Sequence, residues 1–168
     1  MLNQFLSDLR QFLPSDRIYT DELRTLGWGT DASFYRQIPK VVIRSDGEEE
    51  ISKIVQLCRK YKLPFTFRAA GTSLSGQSCT DSVLIVAGKH WEKYKIISNE
   101  ELGISNSDYT QGEITIKLQP GIVGARVNEI LKPYGRVFPP DPASIGSAMV
   151  GGIVINNASG MNCGVHAN

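Results

Sequence analysis

One segment constrains the fold of this chain more than any other: two short apolar runs flank a single amphipathic helix pattern. The runs cover residues 41–43 and 65–67, and between them the apolar positions of residues 51–58 recur at helical spacing. Glutamates at 48–50 precede the stripe and basic residues follow it, as the helix dipole favours. The order strand, helix, strand predicts a βαβ unit with parallel strands.

Two residues of this unit carry specific predictions. Ser45 and Glu48 have the spacing of a capping box, which predicts that the helix begins at Ser45. Cys58 falls on the apolar stripe of the helix, so we expect a thiol in the core rather than a reactive one.

The rest of the chain divides into weaker patterns. An amphipathic helix is predicted at the N-terminus and ends before Pro14, and an extended lead-in follows as far as Pro39. A third, fully apolar strand is expected at 83–87, as in a buried parallel sheet. Further predictions are two antiparallel strands at 94–97 and 114–118, a hairpin-like loop at 99–111, a helix between Pro120 and Pro133, and a loop-rich final stretch.

Composition limits the partners. The chain has 168 residues with 18 basic and 17 acidic side chains, a net charge of +1, so no nucleic acid partner is expected. Three scattered cysteines, at positions 58, 79 and 163, predict reduced thiols and neither a disulfide framework nor a zinc site. No transmembrane segment and no signal peptide are predicted. We expect a cytoplasmic protein, with peripheral attachment to the inner face of a membrane left open for the full-length form.

A loop rich in Gly, Ser and Thr follows the second strand. This glycine loop, residues 69–78, comes directly after Arg68 and contains almost no bulky side chain. Such a backbone can turn several N–H groups toward an anion, which suits a diphosphate. Residues 71–78 also match a Walker A pattern, with Gln77 in place of the lysine that reaches the terminal phosphates. From the loop alone, a diphosphate site, an ordinary turn and a Walker-like site remain open.

A second segment of small residues lies near the end of the chain. Residues 138–144 are rich in proline, and residues 149–160 are rich in Gly, Ala, Ser and Asn. A stiff stretch followed by a smooth surface suits a long, flat ligand, to which the asparagines could donate hydrogen bonds. A crossover loop is the alternative.

Taken in order, these motifs resemble a known family. Residues 39–43, 68–76, 139–144 and 157–160 are similar to the FAD-binding domain shared by vanillyl-alcohol oxidase and p-cresol methylhydroxylase, in its D-lactate dehydrogenase and glycolate oxidase branch. The final residues, 156–168, resemble large members that carry a fused iron–sulfur module. The resemblance implies an α+β fold with two α/β subdomains: a small parallel βαβ unit, then a mixed or antiparallel sheet with helices. The implied divisions are 1–38 for the N-terminal helix and lead-in, 39–90 for the first subdomain and 91–168 for a truncated second subdomain.

The resemblance also implies a role for each matching position. FAD would lie between the subdomains and would be non-covalent, because Thr72 stands where covalently flavinylated relatives carry His. The FAD pyrophosphate would be wrapped by Ala70, Gly71, Thr72, Ser73, Leu74 and Gly76, with Gln77 beside it. The flavin and its ribityl chain would pass Pro140, Asp141 and Pro142. The cofactor channel would be lined by Gly151, Gly152, Ala158, Ser159 and Gly160.

The function implied is an FAD-dependent dehydrogenase or oxidase that transfers a hydride from a 2-hydroxy acid, such as D-lactate or glycolate, to the flavin, with a separate electron acceptor. The base and the substrate arginine would lie beyond residue 168, as would any iron–sulfur cluster, so no catalytic residue and no metal ligand is assigned. His166 is expected to be a loop residue. Arg68 could hold the loop, balance phosphate charge or form a structural ion pair. A fragment of this length is expected to be inactive and to bind FAD weakly.

Other functions stay open at this point. The chain could be a non-enzymatic binding domain with glycine-rich connections, or a Walker-like nucleotide-binding protein. Related FAD domains also serve reductases and alcohol oxidases.

Overall fold

The structure is a computed structural model that describes residues 1–87, 89–98 and 114–161. Helices α1 to α5 cover Leu2–Leu9, Glu22–Gly27, Glu48–Lys60, Gly124–Leu131 and Val150–Ile155. Strands β1 to β6 cover Ile18–Tyr19, Val41–Ser45, Phe65–Arg68, Val83–Ala87, Tyr94–Ser98 and Ile114–Leu118. Short 3₁₀ turns occupy Ser15–Arg17, Lys89–Trp91 and Lys132–Tyr134. The predicted loop at 99–111 lies outside the described residues.

The first sheet has the strand order β1-β2-β4-β3. Strands β2 and β3 are both parallel to β4, which confirms the predicted parallel arrangement and places β4 between them. Val83, Leu84 and Ile85 of β4 are completely buried, because helices or loops cover both faces of this strand. Phe65 and Phe67 of β3 are partly exposed, as is common for an edge strand.

The predicted extended lead-in between residues 15 and 39 is wrong in its first half. Strand β1 pairs antiparallel with β2, Ile18 opposite Ile43, so the first sheet is mixed rather than purely parallel. Helix α2 begins after Asp21, whose carboxylate accepts a hydrogen bond from the amide of Arg24 at 3.0 Å. Ile18 is buried, and this apolar contact draws the lead-in onto the sheet.

Helices α1 and α3 cover one face of the first sheet. Phe5 and Leu9 of α1 and Ile54 and Cys58 of α3 are almost completely buried there. Their partners on the sheet are Val41, Ile43, Val83 and Ile85. The prediction that Cys58 is a core thiol is confirmed, and burial raises its pKa to about 11.

The predicted capping box at the start of α3 is wrong. Ser45 ends β2, and its hydroxyl donates to the carbonyl oxygen of Val86 at 3.2 Å. Helix α3 begins at Glu48, and the carboxylate of Glu50 accepts a hydrogen bond from the amide of Asp46 at 2.8 Å. The strand continues to Ser45, because this residue is buried within the sheet and its hydroxyl finds a hydrogen-bond acceptor on β4.

Strands β5 and β6 form the predicted antiparallel pair, with Ile96 opposite Ile116. The alternating side chains of β6 pack with the apolar stripe of α4 and with α5; the members of this cluster are Ile114, Ile116, Leu118, Ile122, Val127, Leu131, Phe138 and Val150. The two sheets are joined at Trp91, whose indole N–H donates to the carbonyl of Ser45 at 3.0 Å and whose carbonyl accepts from the amide of Gly121 at 2.8 Å. Helix α5 lies in the stretch that was expected to be loop.

Candidate functional site

The glycine loop turns sharply at two glycines. Gly71 and Gly76 both have a φ of +73°, a left-handed conformation that residues with a Cβ rarely adopt. Their carbonyl oxygens are engaged: Gly71 accepts from the amide of Ala32 and Gly76 from the amide of Cys79, both at 3.1 Å. The amide N–H groups of residues 71–74 donate to no other described residue. The loop therefore turns its acceptors inward and leaves a row of donors for an anion.

The exit of the glycine loop excludes a Walker A site. In that motif a strand, the loop and a helix follow one another, and the helix N-terminus contributes to phosphate binding. Here residues 77–82 form a turn and lead directly into β4. Gln77 has no cationic group, and its side-chain oxygen accepts a hydrogen bond from the hydroxyl of Ser73.

Arg68 lies beneath the start of the glycine loop. One guanidinium nitrogen donates to the carbonyl of Thr30 at 2.6 Å and to that of Trp28 at 3.3 Å, and the guanidinium carbon lies 5.2 Å from the Trp28 ring centroid. A Cβ added at Gly71 would collide with this guanidinium. Burial lowers the pKa of Arg68, while the charges of Cys79 and Asp31 oppose the change. The buried Nε atom has no hydrogen-bond partner among the described residues.

A closed segment, which we call the bracing loop, residues 29–37, lies against the glycine loop. Thr30 forms an isolated antiparallel bridge with Arg36, and the amide of Gln37 donates to the carbonyl of Gly29 at 2.9 Å. This element was not predicted, and it falls within the expected extended lead-in. Its sequence signal is Asp31 followed two residues later by a serine, the spacing of an Asx turn.

Asp31 is the centre of the bracing loop. Its carboxylate accepts from the amide of Ser33 at 2.9 Å and from the hydroxyl of Ser78, at the end of the glycine loop, at 3.2 Å. Burial opposes ionisation of Asp31, but the hydrogen bonds from Ser33 and Ser78 and the charge of Arg68 outweigh it, so the pKa of Asp31 lies below its ordinary value.

Helix α5 brings the second small-residue segment next to the first. A Cβ built at Gly152 would lie 3.9 Å from the Cβ of Ala69, so the backbone of α5 faces the start of the glycine loop at close range. Gly151 points elsewhere: an added Cβ would lie 2.6 Å from the Cβ of Pro120, and its amide already donates to the Pro120 carbonyl at 2.9 Å. Gly151 is therefore required by the packing of α5 against that turn, and of the two glycines only Gly152 faces the loop.

The proline-rich stretch and the chain after α5 also meet. A Cβ added at Gly160 would collide with the backbone and the carboxylate of Asp141. Pro140, Asp141 and Pro142 are half-buried, and the Pro142 carbonyl accepts from the amide of Ile145 at 2.7 Å. Ala158 is half-buried and Ser159 is exposed.

The asparagines after α5 cap that helix. The side chain of Asn156 donates to the carbonyl of Gly152 at 2.8 Å, and Asn157 has a φ of +46°. The amide of Ala158 donates to the carbonyl of Ile153 at 2.9 Å, the pattern of a Schellman motif. One N–H of the Asn156 amide is engaged within α5, and the expectation that these asparagines hydrogen-bond a ligand stays a prediction.

The predicted site residues thus fall into three groups. Those on the glycine loop lie together, with Thr72 and Ser73 half-buried and Leu74 75% exposed. Gly152 is next to that loop, and Gly160 is next to Asp141. His166 and Cys163 lie outside the described residues.

Membrane-spanning helices and metal-binding clusters can be assessed for residues 1–87, 89–98 and 114–161. No helix among them combines the length and apolar character needed to cross a bilayer. Within the same ranges, no three His, Cys, Asp or Glu residues lie close enough together to hold a metal ion.

The fold and the site together define a class: an α+β domain with a glycine loop at the end of a parallel strand, in which the amide groups of residues 71–74 are unclaimed by the described residues. Comparison with known sequences identifies the family. The family described as "FAD binding domain" matches residues 39–168, and the chain belongs to it. It is a flavoprotein domain whose cofactor is FAD.

Curated relatives agree with this assignment. The chain is 29% identical over 128 residues to the glycolate oxidase subunit GlcD of Bacillus subtilis, covering 76% of this chain and 25% of that protein. It is 29% identical over 160 residues to the D-2-hydroxyglutarate dehydrogenase of Haemophilus influenzae, covering 93% of this chain and 14% of that protein. The chain therefore spans a quarter or less of the length of these two relatives.

Solved structures confirm the predicted fold class. An alkyldihydroxyacetonephosphate synthase superimposes with a TM-score of 0.78 at 19% identity, covering 99% of this chain and 31% of that one. A p-cresol methylhydroxylase with substrate bound superimposes with a TM-score of 0.69 at 13% identity, covering 94% of this chain and 30% of that one. At these identities the likeness concerns the fold alone.

Proposed function

We propose that this chain is the FAD-holding part of a flavin-dependent oxidoreductase that oxidises a small 2-hydroxy acid, such as D-lactate or glycolate. The observation that carries the proposal is the row of unclaimed amide donors at residues 71–74, in a loop that has two left-handed glycines and whose start, at Ala69, lies against α5. Relatives named as a glycolate oxidase subunit, D-2-hydroxyglutarate dehydrogenases and a D-lactate dehydrogenase support the substrate class.

FAD fits the residues that are present. Two glycines with φ of +73° let the loop backbone turn sharply, and the Cβ direction of each is filled by a side chain, Arg68 at Gly71 and Tyr35 at Gly76. These turns leave the amide groups of residues 71–74 unclaimed by the described residues. We assign the wrapping of the diphosphate to Ala70, Gly71, Thr72, Ser73, Leu74 and Gly76, with Gln77 at the edge. No side chain of these residues adds a negative charge, so nothing in the loop repels the phosphates.

The remaining contacts come from the second small-residue segment. We assign the flavin and ribityl side to Pro140, Asp141 and Pro142, and the channel wall to Gly152, Ala158, Ser159 and Gly160. Gly151 is given a packing role instead. Thr72 provides no imidazole for covalent attachment, so FAD is held non-covalently. Bound FAD supplies a two-electron acceptor, while the residues of this chain bind and orient it. The three divisions at 1–38, 39–90 and 91–168 remain part of the proposal.

A visible spectrum tests the proposal. The gene product that contains this chain is purified, saturated with FAD and titrated without oxygen with glycolate, D-lactate, L-lactate and both enantiomers of 2-hydroxyglutarate. We expect one acid, in one enantiomer where it is chiral, to bleach the flavin absorbance, and a matched 3-hydroxy acid to leave it unchanged. A protein that takes up no FAD would contradict the cofactor role, as a non-enzymatic binding domain predicts. A yellow protein that no 2-hydroxy acid bleaches would contradict the substrate class alone.

A further inference from the structure

The bracing loop touches the glycine loop near its two ends. At the first end, the amide of Ala32 donates to the carbonyl of Gly71 at 3.1 Å. At the second, the hydroxyl of Ser78 donates to the carboxylate of Asp31 at 3.2 Å. The unclaimed amides of residues 71–74 belong to the stretch from Gly71 to Ser78 that these two attachments enclose.

Arg68 and Tyr35 add two further attachments. Arg68 joins the end of β3 to the bracing loop through the carbonyl of Thr30 at 2.6 Å. The ring of Tyr35 lies against Gly76, where an added Cβ would be 2.8 Å from the ring carbon Cδ2. Each left-handed glycine therefore has a side chain packed against it, Arg68 at Gly71 and Tyr35 at Gly76.

These contacts have a consequence for anion binding. A row of parallel N–H dipoles is unfavourable without an anion, and a free loop would relax by rotating its peptide groups. The contact with Ala32 opposes that rotation at the start of the row, because the carbonyl of Gly71, in the peptide group that carries the N–H of Thr72, is already held by a partner amide. A loop that is ordered before the ligand arrives loses less conformational entropy on binding.

We propose that the bracing loop holds the glycine loop ready for the diphosphate of FAD, and that Asp31 and Arg68 are positioning residues for FAD binding. The inference rests on the proposed assignment of the glycine loop to the diphosphate. Neither residue is required to touch FAD: Asp31 acts through Ser78 and the 31–33 turn, and Arg68 acts through the carbonyls of Trp28 and Thr30.

The test compares Asp31→Ala, Asp31→Asn and Arg68→Lys with the wild-type gene product. We expect Asp31→Ala and Arg68→Lys to raise the Kd for FAD about tenfold, because an unbraced loop must be ordered on binding. Asp31→Asn keeps one oxygen acceptor, for Ser33, and its amide nitrogen can donate to the hydroxyl oxygen of Ser78 in place of the second carboxylate oxygen, so it should recover most of the affinity. Asp81→Ala and Arg59→Lys, at exposed positions outside the bracing contacts, serve as matched controls with unchanged Kd.

Phosphorus NMR separates positioning from direct contact with FAD. At saturating FAD, the two phosphorus resonances of bound FAD should keep their wild-type positions in Asp31→Ala and in the controls, because the loop reaches the same bound geometry at a higher ordering cost. A Kd within twofold of the wild-type value would overturn the inference. So would phosphorus resonances that move toward those of free FAD in Asp31→Ala, since that pattern indicates a lost contact with FAD rather than a higher cost of ordering the loop.

Two safeguards keep the test decisive. If Asp31→Ala does not fold, Ser78→Ala removes only the hydrogen bond between the two loops and is judged by the same two measurements. If the wild-type protein itself binds no FAD, the proposed function and this inference both fail. If it binds FAD and the variants bind equally well, only this inference fails.

Discussion

Replacing Gly76 by alanine tests the geometry of the glycine loop most directly. At a φ of +73° a residue with a Cβ is disfavoured by about 1–2 kcal/mol. The new Cβ would also lie 2.8 Å from Cδ2 of Tyr35 and 3.1 Å from its Cβ and Cγ. Tyr35 is 58% exposed and can swing outward, so we expect the steric part to be smaller than the backbone part.

The expected total for Gly76→Ala is a loss of about 2 kcal/mol in the free energy of unfolding, which is roughly a thirtyfold change in the folding equilibrium. Urea denaturation of the FAD-free gene product measures it. The double variant Gly76→Ala with Tyr35→Ala separates the two parts, because only the steric part disappears when the ring is absent. Gly76→Asn should lose less than Gly76→Ala, since asparagine tolerates the left-handed region better.

Gly146→Ala is the matched control, because an added Cβ there meets no atom within 4 Å and its φ lies outside the left-handed range. Its free energy of unfolding should stay within about 0.5 kcal/mol of the wild-type value. If Gly76→Ala also stays within that limit, the left-handed turn is not a requirement of the loop. The reasoning about a closely approaching backbone would then be refuted.

Two further predictions concern the core beneath the sheet. Burial raises the pKa of Cys58 from 9.0 to about 11, so the thiol ionises in the unfolded chain before it ionises in the folded protein as the pH rises. The free energy of unfolding should therefore be unaffected below pH 9 and should fall by about 2–3 kcal/mol by pH 11. Urea midpoints over this range should show the decline in the wild type and a smaller decline in Cys58→Ala; equal slopes would contradict it. Ile54→Ala should lower the free energy of unfolding by about 2–5 kcal/mol, because Ile54 is completely buried between α3 and the sheet. A loss below about 1 kcal/mol in urea denaturation would show that neighbouring side chains move in to fill the cavity.

Elements with local signals could be predicted from the amino-acid sequence. The apolar runs at 41–43 and 83–87, the stripe that contains Cys58 and the alternation at 114–118 each predict an element that the structure contains. The position of the glycine loop could also be predicted, because small residues directly after a strand indicate a backbone that another group can approach closely. These patterns need no knowledge of what packs against them.

Where those elements meet depends on contacts between distant parts of the chain. Burial on both faces places β4 between β2 and β3, although it follows them in the chain. The contact between Asp31 and Ser78 joins residues 47 positions apart, and no local pattern encodes such a pairing. Gly151 and Gly152 are identical in sequence terms, yet one packs on Pro120 and the other faces Ala69. Which side of a helix faces a neighbour depends on how the whole chain packs. For this reason neither the bracing loop nor the different surroundings of Gly151 and Gly152 could be predicted.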